Sequence, residues 1–272
     1  MSAPTLVFSH ANGFPAGTYR LLFERWRAAG WRVEAVEKFG HDPRWPVSSN
    51  WPKLREQLAH FIEGLNLDRP PVLVGHSLGG FLSLLTASHR PDLARAIVLL
   101  DSPLITGWRA QGLRFAKANP LLMRRFSPGR VAERRRQHWP SAEACRTHYA
   151  AKAVFASWDP RVLDDYVAAG TELDPDDPQG GVRLAFDRTT ESHIYDTLPH
   201  HLGEVLRLHP LRCPVGFIGG NHSRELRAVG LAATQRLTHG RVRILQGGHL
   251  FPMERPDVAA AEVLALLGEL LD

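Results

Sequence analysis

Five residues, Gly75-His76-Ser77-Leu78-Gly79, constrain the fold of this chain more than any other stretch. They follow the apolar run Val72-Leu73-Val74 and lead into Gly80-Phe81-Leu82-Ser83-Leu84-Leu85. A short apolar run bounded by glycine reads as a buried strand, and the longer run after it as a helix. Strand must therefore pass to helix within a few residues, with Ser77 at the apex of the turn. Such a turn strains the backbone at the serine. Gly75 and Gly79 remove the side chains that would keep helix and strand apart. The result is a G-x-S-x-G turn that lifts a hydroxyl out of the sheet. It also sets the Leu78 amide at a helix N-terminus, where it can stabilise a developing oxyanion.

Around this turn the chain alternates. Residues 5–8 form a short apolar strand that runs into Ser9-His10-Ala11-Asn12-Gly13. Residues 19–29 predict a helix, with Leu21, Leu22, Phe23 and Trp26 on one face and Gly30 as its stop. Residues 31–36 alternate like a strand. A second helix opens at 50–53, with Asn50 as N-cap and Pro52 in the first turn. Helix 78–89 and strand 96–100 follow. After Pro103 the rhythm gives way to about a hundred mostly helical residues, with a short extended piece at 182–186. It resumes with a strand at 214–218, a helix near 224–237, a strand at 242–245 and a terminal helix from about 256 to 271. Strands alternating with helices imply an α/β fold with a mostly parallel sheet covered on both faces. The expected organisation is one sheet domain built from residues 1–103 and 212–272, with 104–211 inserted as a helical cap.

Composition narrows the class. With 272 residues, 44% hydrophobic and 22% charged, the chain can bury a substantial core and reads as a globular protein. No stretch is long and apolar enough to span a bilayer, and the first residues lack the pattern of a signal peptide. Two cysteines, Cys145 and Cys213, suggest neither a disulfide framework nor a cysteine metal site. The expected location is therefore the cytoplasm. The net charge of +5 is concentrated at Arg124, Arg125, Arg130, Arg134, Arg135 and Arg136. No nucleic-acid motif or interleaved aromatic platform accompanies these arginines, so they read as a solvated helix face. His193, Tyr195, His200 and His201 lack the spacing of a metal site. No cofactor is expected, and the sequence leaves monomer and homodimer both open.

The order of elements and the motif at Ser77 closely resemble the α/β-hydrolase superfamily over nearly the whole chain. The resemblance implies that the strand before Ser77 is the family's fifth and residues 5–8 its third. The sheet would then have about six strands and lack the family's first two. His249, in Gly247-Gly248-His249-Leu250 after the last strand, matches the position of the catalytic histidine. Neutral imidazole suits the task of taking the proton of Ser77. His10-Ala11-Asn12-Gly13-Phe14-Pro15 matches the loop that supplies a second oxyanion amide, by position Asn12. Ala11 stands where glycine is usual, so Ala11 or Gly13, or the register Asn12-Gly13-Phe14-Pro15, are alternatives.

The acid departs from the pattern. Relatives usually place aspartate in a Gly-x-x-Asp turn after the family's seventh strand, and here that turn reads Gly220-Asn221-His222-Ser223. Asp101, at the end of strand 96–100, is the favoured acid, and Glu225 is the alternative. A serine hydrolase acting on a small-molecule carboxylic ester, thioester or similar acyl compound is the expected activity, through an acyl-enzyme at Ser77. A serine nucleophile argues against dehalogenase or epoxide hydrolase chemistry. Acyl transfer, C–C bond hydrolysis and a non-catalytic ligand-binding role are the rivals. In the cap, Trp108, Phe115, Trp139, Phe155, Trp158 and Tyr166 are candidates to line an apolar cavity.

Overall fold

The computed structural model describes residues 3–119, 123 and 127–272, and in it the apolar runs pair into one six-stranded sheet. The first elements are β1 (Thr5–Ser9), α1 (Arg20–Ala28), β2 (Arg32–Ala35), α2 (Pro52–Gly64), β3 (Val72–His76), α3 (Leu78–His89) and β4 (Ala96–Leu100). The middle of the chain forms α4 (Gly107–Ala118), α5 (Gly129–Glu133), β5 (His138–Trp139), α6 (Ala142–Ala150) and α7 (Pro160–Gly170). It continues as β6 (Thr171–Leu173), β7 (Val182–Leu184), α8 (Arg188–Asp196) and α9 (Leu202–Leu208). Then come β8 (Val215–Gly220), α10 (Arg224–Val229), α11 (Ala232–Leu237), β9 (Val242–Leu245), α12 (Phe251–Glu254) and α13 (Pro256–Leu271).

Strand order is β2-β1-β3-β4-β8-β9, and every neighbouring pair is parallel. A parallel sheet needs cover on both faces, and successive side chains point to opposite sides. Leu6 and Phe8 accordingly pack with Trp26 of α1 and Val263 of α13. Val7, between them, packs on the other face with Leu58 of α2 and Leu82 of α3. The carboxyl ends of β1, β3, β4, β8 and β9 then bring five loops to one edge of the sheet. Ligands bind at that edge in open α/β sheets.

Several expectations need correction. Asn50 does not cap α2; it sits at φ 65 and its side-chain oxygen accepts a hydrogen bond from Lys117 Nζ at 2.8 Å. The helix expected over 224–237 is two short ones, because Gly230 at φ 79 turns the chain out of the helical path. In the segment between β4 and β8 the extended piece expected at 182–186 is β7, and β5 and β6, which the sequence does not predict, pair with it in a small antiparallel sheet. Arg124 and Arg125 lie outside the described residues. Arg130, Arg134 and Arg136 are exposed as expected, but Arg135 turns inward onto Glu191 at 2.6 Å. Of the cap aromatics, Trp108 and Phe115 are 74% and 67% exposed. Trp139, Phe155, Trp158 and Tyr166 are buried in one packed cluster.

Candidate active site

Ser77 occupies the turn between β3 and α3 at φ 53 and ψ −111, a conformation costly for any residue but glycine. Backbone and side-chain hydrogen bonds hold it there. Its N–H donates to the Leu100 carbonyl at 3.0 Å, and its own carbonyl accepts from Gly80 N at 3.1 Å and from Ser102 Oγ at 2.9 Å. The close packing leaves no room beside the turn. A Cβ on Gly75 would lie 2.3 Å from the Gly79 carbonyl, and one on Gly79 would lie 1.9 Å from the Ser9 carbonyl oxygen. Leu78 is the first residue of α3, so its N–H has no partner within the helix. The Ser77 side chain is partly exposed, and among the described residues its hydroxyl makes no hydrogen bond.

Asp101 extends from the end of β4, also with positive φ (45°), and is 1% exposed. Its Oδ1 accepts from Gly220 N at 2.9 Å. Its Oδ2 lies 2.6 Å from His249 Nδ1 and 2.5 Å from Ser223 Oγ. Glu225 is half-exposed, and its Oε2 is 3.8 Å from His249 Nδ1, beyond hydrogen-bonding distance. The structure therefore brings both acid candidates to the histidine, and only Asp101 bonds to it. Burial disfavours the charged form of His249. The Asp101 hydrogen bond, with the negative charges of Glu225 and Asp101, outweighs burial and raises its pKa above the ordinary value.

The histidine loop is tied to the serine turn by His76, which accepts a bond from the Tyr19 hydroxyl on Nδ1 at 2.7 Å. Its Nε2–H donates to the His249 carbonyl at 2.9 Å. This tautomer is the one that satisfies both partners. Burial, then the neighbouring His249, pushes the His76 pKa well below the usual imidazole value, so the ring is neutral. The Tyr19 hydroxyl also accepts the Ala11 N–H at 3.1 Å. That bond removes Ala11 from the candidate oxyanion donors. The N–H groups of Asn12 and Gly13 take no partner among the described residues. The Asn12 side chain anchors the loop by donating to the Glu191 carbonyl at 2.9 Å. His10, behind the loop, is neutral as well, with burial lowering its pKa to about 4.

Sequence reasoning missed Tyr19, His76 and Ser223 as partners of the site. His76 and Ser223 lie inside the motifs quoted above, but their contacts join segments far apart in the chain. The one group of His, Cys, Asp and Glu atoms close enough to share a metal ion among the described residues is Asp101, Glu225 and His249. There His249 Nδ1 is already committed to Asp101. His193, His200 and His201 belong to no such group among the described residues, and Cys145 and Cys213 are unpaired.

The sequence pattern described as the alpha/beta hydrolase family matches residues 6–262. Among solved structures the chain is similar to E-2-(acetamidomethylene)succinate hydrolase, with a TM-score of 0.75 and 21% identity over 97% of this chain and 91% of that one. It is also similar to the thioesterase domain from the curacin biosynthetic pathway (TM-score 0.69, 20% identity, 96% and 91% covered). A carboxylesterase structure from Nitrososphaera gargenis gives a TM-score of 0.69 at 20% identity, covering 99% and 91%. No curated protein matches the sequence.

Proposed function

Because the chain belongs to the alpha/beta hydrolase family, we propose that it is a serine hydrolase that cleaves a carboxylic ester or thioester through an acyl-enzyme. Ser77 Oγ attacks the acyl carbonyl while His249 Nε2 takes its proton, and Asp101 orients the ring and stabilises the imidazolium. The N–H groups of Leu78 and Asn12 receive the oxyanion, each donor contributing about 3 kcal/mol in related chemistry. His249 then gives its proton to the leaving oxygen or sulfur. Water, deprotonated by the same ring, attacks the acyl carbon and releases the acid with Ser77 restored.

The observation that carries this reading is the 2.6 Å contact between His249 Nδ1 and Asp101 Oδ2. It commits Nδ1 to the acid and leaves Nε2 free to face a nucleophile. Residues 104–211 would act as the cap over a core of 1–103 and 212–272. Phe14, partly buried and backed by the packed rings of Trp158 and Tyr166 at 5.8 and 5.6 Å between centroids, offers an apolar acyl group a contact beside the Asn12 loop.

A fluorophosphonate probe tests the nucleophile: wild type should label at Ser77 and Ser77→Ala should not. On a short acyl ester, Asp101→Asn is expected to lower kcat by about a thousandfold or more, and Glu225→Gln by less than tenfold. Full kcat in Asp101→Asn would remove Asp101 from the triad. Unlabelled wild type would favour a ligand-binding role. Product analysis with alcohol and water in competition separates hydrolysis from acyl transfer.

A further inference from the structure

Ser223 is fully buried, and its hydroxyl stands between three groups. It caps α10 by accepting the Leu226 N–H at 3.0 Å. It lies 2.5 Å from Asp101 Oδ2 and 3.4 Å from Glu225 Oε2. A hydroxyl has one proton to give. With a lone pair committed to Leu226, that proton goes to the nearer carboxylate oxygen, the one that also takes His249 Nδ1–H. The acid stands at the end of β4 at positive φ, where little else fixes a short side chain. Both of its oxygens are instead fixed from the end of β8 and the turn after it, by Gly220 N–H on Oδ1 and Ser223 Oγ–H on Oδ2.

We propose that Ser223 is a positioning residue of the Asp101–His249 pair: its hydroxyl holds Oδ2 in line with the imidazole and takes up part of the charge the imidazole would otherwise feel. This rests on the serine-hydrolase reading of the site. It also accounts for an acid supplied from β4 while serine stands where relatives carry aspartate. The two positions act together, the carboxylate from one strand and its hydrogen-bond donor from the next.

The groups facing His249 are Asp101 from β4, Glu225 from α10 and the neutral His76 ring, 5.2 Å away on β3. Ser223→Ala removes a donor from Oδ2, so more negative charge faces the imidazolium and His249 should lose its proton at higher pH. The expected result on a short acyl ester is a kcat about tenfold lower at unchanged KM, with the acid limb of the pH profile moved upward. Ser223→Thr, which keeps the hydroxyl, should restore both. Glu225→Gln, which removes a negative charge, should move the limb downward.

A residue that only caps α10 would lower thermal stability in Ser223→Ala and leave kcat and the limb in place. That outcome overturns the proposal, as does a limb that moves downward or a Glu225→Gln variant that reproduces the alanine effect. NMR titration of the His249 ring reads the same shift without turnover. The proposal can therefore fail while Ser77 still labels, whereas wild type that does not label overturns the hydrolase reading on which it rests.

Discussion

Tyr19 has one hydroxyl and two obligations: it accepts the Ala11 N–H and donates to His76 Nδ1. His76 in turn donates to the His249 carbonyl, so the loop after β1, the serine turn and the histidine loop are joined by three hydrogen bonds. All the groups on the path from Ala11 to His76 are buried, where an unmade bond costs about 1–3 kcal/mol. Tyr19→Phe keeps the ring packed against Phe8, 4.5 Å away between centroids, and deletes only the hydroxyl. Urea unfolding should show a loss of about 1–3 kcal/mol, and fluorophosphonate labelling of Ser77 should slow, because the Asn12 amide is held by the same loop. An unmoved urea midpoint would mean that water replaces the hydroxyl on both partners. These contacts explain which parts of the site are legible from sequence. Ser77 and His249 sit in local motifs whose spacing carries their meaning. Asp101 and His249 are 148 residues apart, and nothing in either segment encodes their distance. Ser223 looks like a lost acid in one dimension and is a donor to the acid in three.

Glycines at element junctions set how closely helix and strand approach. A methyl at position 79 would sit 1.9 Å from the Ser9 carbonyl oxygen, and backbone at the sheet centre cannot move to admit it. Gly79→Ala should therefore fail to yield folded, soluble protein. Gly268, inside α13, has nothing within 4 Å of the point an added methyl would occupy, so Gly268→Ala should raise stability by about 1 kcal/mol through helix propensity. Soluble expression and thermal unfolding of the pair check both directions. The boundaries of α3, β4, β9 and α13 are readable because an apolar run or period ends on a glycine, proline or charged residue. Of the small sheet, only β7 is foreseen, as the extended piece at 182–186; β5 and β6, of two and three residues, are too short to show a period. Asn50 misleads because its side chain finds a lysine brought near by the fold instead of the helix N-terminus.

Across the whole molecule, one residue of α8 joins the segment between β4 and β8 to the sheet. The Glu191 carboxylate takes Arg135 Nη1 at 2.6 Å, and its backbone carbonyl takes Asn12 Nδ2 at 2.9 Å. Arg135 also donates to the hydroxyls of Tyr149 and Tyr166. The two charged side chains are only 13% and 7% exposed, so this pair is not one of the solvated surface bridges that contribute little. Removing one partner leaves the other charge buried without compensation. Glu191→Ala should therefore cost about 3–5 kcal/mol, whereas Arg135→Met/Glu191→Leu, which fills the space with apolar atoms, should fall much closer to wild type. Urea unfolding of wild type, both single variants and the double variant forms a cycle that isolates the coupling. A large coupling, with the single variants cleaved by protease within residues 104–211 before the rest of the chain, is the expected result. A single variant costing less than about 1 kcal/mol would mean that aromatic packing around Phe14, Trp158 and Tyr166 holds this segment without the ion pair.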